Sequence, residues 1–377
     1  MHRITNNKRI MIAEKLIGVL VLAFGVTAAA VAQEDLSIAG GVTVVGQRIN
    51  DAALATNGSF REEPPALEDD KANGASIVYS VDVEMEKPFE FGVGYIHFVA
   101  AEGDPVFDGS NADAEGSDFG QNLGVSEAWF ALNLFEELLS FKIGKIDPAT
   151  IYDTNEVAND PTSQFMADVL VNNAAFLQPG YQPGMNFGLN FEIVTVDLGI
   201  FQDVGALPAE PIPGEMEYIF VAGEVGLHYD LFDNPGNFRI GFFSSGANDR
   251  TGFLMNMDQA FFDEVFSLFW RFGAVSGFDE TLADAEVETS SAFSMGAQIV
   301  LFEAHRIGIA FSLESPSLDT AIDPVTDEVV DSASRTWFEI YADFEIEEGV
   351  NFAIDLQAAG SPNYLAEEET AAIFGFR

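Results

Sequence analysis

The chain has 377 residues, with 61 acidic against 16 basic side chains, a formal charge of −45 and no cysteine. That charge excludes nucleic acid as a partner on Coulombic grounds, and the missing thiols exclude a disulfide framework, leaving burial and backbone pairing to hold the fold. Yet 48% of the residues are hydrophobic and 35 are phenylalanine, a combination that only their arrangement explains.

Residues 1–32 read as an export signal. MHRITNNKRIMIAEK is basic, LIGVLVLAFGV is apolar but short for a membrane span, and Ala30-Val31-Ala32 has the small-residue spacing of a cleavage site. Removing the segment takes away Arg3, Lys8, Arg9, Lys15 and Glu14, so residues 33–377 are more acidic still. They contain no run of about 18 apolar residues, so no transmembrane helix is expected.

Beyond the signal, many segments alternate in period two, the mark of strands with two unlike faces. In ASIVYSVDVEME, Ile77, Tyr79, Val81, Val83 and Met85 share one face, opposite Ser76, Ser80, Asp82, Glu84 and Glu86. MNFGLNFEI sets Met185, Phe187, Leu189, Phe191 and Ile193 against Asn186, Gly188, Asn190 and Glu192. YIFVAGEVGLHYDL sets Ile219, Val221, Val225 and Leu227 against Glu224, His228 and Asp230. FRIGFF, AFSMGAQIVLF and RIGIAFSL come next, then TWFEIYADFEI, VNFAIDLQ and a short final TAAIFGFR.

The connections are sorted by length. Tight turns at 86–88, 135–137, 193–195, 233–236, 262–264, 303–305 and 347–349 alternate with linkers at roughly 50–73, 102–121, 147–183, 204–215, 247–250, 277–289, 315–335 and 361–369, rich in Asp, Glu, Gly, Asn and Pro. About sixteen strands lie between them. A sandwich has no reason to sort its connections so regularly. An all-β, 16-stranded antiparallel up-and-down transmembrane β-barrel does, and it satisfies every backbone group without leaving an edge in hydrocarbon. Such a barrel spans residues 33–377, faces its apolar side to outer-membrane lipid and encloses an aqueous channel.

The stretch SFKIGKIDP, Ser140 to Pro148, places two lysines in this acidic chain. With Phe141 and Ile143 toward lipid, Lys142 points inward and Lys145 stands at the strand's outer end. From Val125 to about Gln202 the sequence resembles the carbohydrate-selective porins of the OprB type. Glu127-Ala128-Trp129, FKIGKIDPATIYDTNEVANDPTSQF, Asp168, Asn172, Asn173 and Pro179-Gly180 carry the resemblance, with a shorter echo in Met257-Asp258-Gln259 and Leu268 to Gly273. It implies a sixteen-stranded outer-membrane channel for neutral sugars and small polar solutes, and it suggests a homotrimer. It also makes loop 147–183, with Asp147, Asp153, Asn155, Asp168 and Asn172, the natural constriction.

Inward parity assigns Lys142, Arg239 and Arg271 to the pore lining, with Glu127 beside them. Trp337, Glu339, Tyr341 and Asp343 share one inward face, offering an apolar platform and hydrogen-bonding groups to a sugar; the competing reading packs the aromatics beneath a folded loop. The inward acids Asp82, Glu84, Glu86, Glu90, Glu192, Glu224, Glu339, Asp343 and Asp355 outnumber the inward cations, which supports the alternative of a general cation-preferring channel without a sugar site. No catalytic motif appears: His228 near Asp230 lacks a nucleophile elbow, and no cofactor fingerprint occurs. Asn111, Asp113, Glu115 and Gly116 imitate the start of a calcium loop, but its twelfth position is Asn122, so no metal is expected.

Overall fold

The computed structural model describes residues 36–49, 74–103, 105–106, 110, 124–203, 218–247, 249–278, 288–302, 304–318, 320–322, 329–361, 364 and 370–377. The proposed signal segment, the linker 50–73 and the calcium-like residues Asn111 to Gly116 lie outside them. Period-two alternation resolves into strands β1 (Ser37–Ile49), β2 (Ala75–Phe89), β3 (Gly92–Glu102), β4 (Gly124–Leu134), β5 (Leu139–Ile146) and β6 (Gln182–Asn190). After these come β7 (Val194–Asp203), β8 (Tyr218–Leu231), β9 (Asn234–Ser245), β10 (Arg250–Phe261), β11 (Phe266–Ser276), β12 (Thr289–Leu301) and β13 (His305–Pro316). A small separate hairpin, β14 (Thr320–Ile322) with β15 (Val329–Asp331), sits in the linker before β16 (Arg335–Glu347), β17 (Val350–Gly360) and β18 (Ala371–Phe376).

Sixteen of these close into one antiparallel barrel, each strand paired with its chain neighbours across the β14–β15 insertion, and β18 returning to β1. Closure runs through Gly46↔Phe376 and Ile49↔Ile373. Because the ladder meets itself, every strand has a partner on both sides, the condition hydrocarbon imposes on backbone N–H and C=O groups.

The alternation reads directly onto the surface. Phe187, Leu198, Ile200, Ile219, Val225, Phe242, Ile309, Phe338 and Phe352 are all exposed on the outside, a disposition that water would penalise and lipid acyl chains favour. Charged lysine or arginine on that face near a bilayer midplane costs about 2–4 kcal/mol, which is why the strand SFKIGKI can turn only one of its parities outward.

Gly144 in this strand has a structural cause. Its φ is +149°, and a Cβ there would lie 2.2 Å from the Ala128 carbonyl oxygen and 2.5 Å from Trp129 Cα. The close approach lets β4 and β5 pair just where Trp129 turns into the barrel. At the closing seam a Cβ on Gly46 would meet the Phe376 ring at 2.3 Å, so the last aromatic covers a gap across the ladder.

Several expected boundaries move. β2 runs on through Phe89, so the first tight turn falls at Glu90-Phe91 rather than at 86–88. The turn expected at 193–195 lies before Val194, and Glu192 sits in it with a φ of 67°. Neither Glu90 nor Glu192 is an inward strand position, because alternation ends where the chain reverses.

Replacing Phe187 with lysine is expected to destabilise the barrel by about 2–4 kcal/mol, while Thr43→Lys, on the opposite parity, costs far less. Urea unfolding in phospholipid vesicles measures both.

Candidate functional site

The inside of the barrel is organised by the loop between Ile146 and Gln182. Asp147 caps a short 3-10 turn, Pro148–Thr150, its Oδ1 accepting from the Ala149 N–H at 2.9 Å. The chain then crosses the lumen, forms the single helical turn α1 (Asp168–Val171) and returns to β6.

Its first anchor is a buried polar knot. Arg271 Nε lies 2.9 Å from Asp153 Oδ2, while its terminal nitrogens donate to Leu170 O at 2.8 Å and Asp153 O at 3.1 Å. Asn256 Nδ2 donates to Asp153 O and Thr154 O at 2.7 and 3.0 Å, and Asn155 Nδ2 donates to Asn256 Oδ1 at 2.8 Å. The Asp153 N–H donates to Glu224 Oε2 at 2.8 Å. Burial pushes the Asp153 carboxyl above its ordinary range, with Arg271 pulling the other way. Three strands, β8, β10 and β11, thus hold one loop corner.

The second anchor is further along the wall, on β16, three strands from β11 in the barrel order. The Met166 and Ala167 N–H groups donate to the two carboxylate oxygens of Glu339 at 2.6 and 2.9 Å. Arg377 donates to Pro161 O and lies 3.5 Å from Asp343. Asp168 and Asn172 bond to each other within the loop, the Asn172 Nδ2 donating to Asp168 Oδ1 at 2.6 Å.

Beside the anchors the loop presents apolar side chains to the wall. Phe165, Val169, Leu170 and Val171 pack on Phe269, Ala310, Trp337, Tyr341 and Ile373 of the wall, with the Phe165 and Tyr341 rings edge to face at 4.9 Å. Tyr152 and Phe176 pack on Phe201, Phe220 and Phe243. The inward face is therefore not uniformly polar: part of it is a dry core whose second half is the loop.

This geometry sorts the sequence-derived residues. Trp337, Glu339 and Asp343 are fully covered and Tyr341 is 2% exposed. Their reading as a sugar platform is corrected: the loop occupies the face on which a sugar would lie. Arg239 and Arg271 point inward as parity requires, but Arg239 is paired with Asp258 at 2.9 Å and both are buried. Glu127 is buried too, accepting from Trp129 Nε1 at 3.1 Å and from the Asp147 N–H at 3.2 Å.

Lys142 remains half-exposed. Its ammonium sits 4.2 Å from the Trp129 ring centre, and Tyr95 stacks on that same indole at 4.8 Å with 22° between planes. Trp129 is thus flanked on both sides along the wall. Around this ladder lie Glu84 and Glu86, exposed, with Asp82, half-exposed and 3.2 Å from His97 Nε2. Asp197, Asp230, Arg306 and Glu345 also face inward and keep contact with water. Tyr95, His97, Asn256 and Arg377 were not singled out from sequence; the parity of GVGYIHFVA marked the first two, whereas nothing local marked the others as loop contacts.

No family model matches the chain. An uncharacterised protein of Aquifex aeolicus (strain VF5) is 45% identical over 47 residues, 12% of this chain and 15% of that protein's length. Among solved structures, the chain is similar to OprB of Pseudomonas putida, determined at high pH, with a TM-score of 0.69 and 13% identity over 94% of this chain and 96% of that one. A mutant Rh. blastica porin aligns with a TM-score of 0.54 and 12% identity over 90% and 98%. The fold is that of the sixteen-stranded porins.

Arg271→Ala leaves Asp153 buried without its counter-charge, a change of about 3–5 kcal/mol where no relaxation intervenes. The loop corner is expected to detach, which single-channel recording would register as larger and noisier conductance than wild type.

Proposed function

We propose that this chain is an outer-membrane channel for passive diffusion of small polar solutes, sugars among them, and that its lumen prefers cations to anions. The observation that carries the reading is the division of inward charge. Arg239 and Arg271 are buried and paired with Asp258 and Asp153, and Arg250, Arg335 and Arg377 are tied to Glu288, Glu314 and Asp343. Among the described residues, the inward groups left in water are mostly carboxylates: Asp82, Glu84, Glu86, Asp197, Asp230 and Glu345 against Lys142 and Arg306.

A ring of carboxylates in a confined aqueous path raises the local concentration of cations and repels anions. Uncharged sugars pass without that penalty. With Trp337 and Tyr341 covered and Trp129 flanked by Tyr95 and Lys142, sugar passage is proposed to rest on size and hydrogen bonding rather than on a stacking platform. The constriction is assigned to the loop 147–183, held by its two anchors. The reading includes no catalysis and no cofactor, and the net charge of −45 argues against any polyanionic permeant.

In planar bilayers under a KCl gradient the reversal potential is expected on the cation-selective side, and Lys142→Ala is expected to move it further that way. An anion-selective potential contradicts the reading. Liposomes carrying the channel should swell in small sugars at rates falling with solute size; vesicles that stay inert in every sugar would remove the transport function.

Asp147 supplies a pH test. Burial raises its carboxyl from the ordinary value to about 6, so the group is charged above that pH and neutral below it. One negative charge beside Lys142 and Glu127 is therefore lost as pH falls through about 6, and cation preference should step down there. Asp147→Asn should abolish that step.

A further inference from the structure

Arg48 is a cation on the outer wall, beside the closing seam, that the channel does not use. Arg48 lies near the end of β1, on the face it shares with its ladder partners Ala75 and Phe374, the outward face. It is exposed and makes no ion pair with any described residue. In a chain of charge −45, an arginine on the lipid side of the closing seam with no ion pair to any described residue stands apart from the paired arginines of the lumen, and at the midplane it would cost about 30- to 900-fold in the folding equilibrium. Its place at the long-loop end of β1 puts it where headgroups, not acyl chains, meet the wall.

Beside it runs a groove of about 630 Å³. Small side chains open it: Ala358 and Ala372 face each other across β17 and β18, framed by Phe338 on β16, Leu356 on β17 and Phe374 on β18. The bulky rows on either side frame the trough, and Arg48 stands at its flank.

We infer that this seam is a seat for a phosphate-bearing acyl glycolipid of the membrane leaflet at the long-loop end, with one acyl chain in the Ala358–Ala372 trough and a phosphate on the Arg48 guanidinium. The charge complementarity selects the occupant. A neutral lipid would fill the trough but leave Arg48 unpaired, whereas a phosphate forms two parallel, charge-assisted hydrogen bonds with a guanidinium. The seat rests on the transmembrane reading of the barrel, and it is independent of what passes through the lumen.

Native mass spectrometry of the delipidated barrel in detergent, titrated with diphosphoryl lipid A or with the same glycolipid stripped of phosphate, tests this. Wild type is expected to hold one diphosphoryl lipid A about tenfold more tightly than the dephosphorylated form. Arg48→Gln should erase that difference, Arg48→Lys should restore part of it, and Ala358→Phe should weaken both lipids by filling the trough. Equal binding of the two lipids by wild type overturns the proposal, as does Arg48→Gln behaving as wild type. So does an oligomer in which the seam is covered by a second copy and no lipid is retained. Reversal potentials that fail to show cation preference would undo the channel reading and leave this result untouched.

Discussion

The rest of the structure depends on the need to pair every backbone N–H and C=O inside a ring that has no edge. Once β18 meets β1, each side chain has only two destinations, hydrocarbon or the enclosed space, and period two decides which. The excess of phenylalanine then stops being odd for so charged a chain, because the outer wall needs apolar surface and the inner wall needs charge. Even the glycines obey it. Gly144 exists so that β4 and β5 can approach where Trp129 turns inward, and Gly46 so that Phe376 can lie across the seam.

The second organising element is the loop after β5. It cannot rest in the lumen on apolar contacts alone, since its own N–H groups would be left without acceptors. Glu339 takes two of them, Glu224 a third, and Asn256 and Arg271 satisfy carbonyls in return. The cost of burying Asp153 and Arg271 is offset by their pairing and by the hydrogen bonds around them, so removing either partner is worse than never having had the pair. Phe165 on Tyr341 and Tyr152 on Phe201 then supply the hydrophobic part. With these residues used structurally, the acids of β2, β7, β8 and β16 are the carboxylates of the inner face that keep contact with water among the described residues.

Much of the barrel was legible in the sequence because a strand between lipid and lumen must alternate, and ASIVYSVDVEME or TWFEIYADFEI can do nothing else. Strand count, sorted connections and the inward parity of Lys142, Arg239 and Arg271 all come from that one rule. Turn positions slipped by a few residues at Pro88 and Ile193, where strands run on past the point at which alternation weakens. The site was less legible. Alternation tells which way Trp337 and Tyr341 point, but not that a loop more than 150 residues earlier in the chain lies over them. Phe201, Phe220 and Phe243 break the rule of a polar interior for the same reason: Tyr152 and Phe176 provide a dry surface inside the barrel. Phe242-Phe243, one out and one in, was the local sign that the interior is not all water.

Because the chain contains no cysteine, single thiols can be placed on either face without background, and that allows the most direct measurement. Glu84→Cys and Ile309→Cys, each reconstituted in bilayers, would be treated with a charged, membrane-impermeant thiol reagent while current is recorded. Modification of Glu84→Cys with a fall in current, beside an unreactive Ile309→Cys, is the predicted result. Rapid reaction at Ile309→Cys together with silence at Glu84→Cys would mean that the two faces are reversed, and no water-filled barrel of this design would stand.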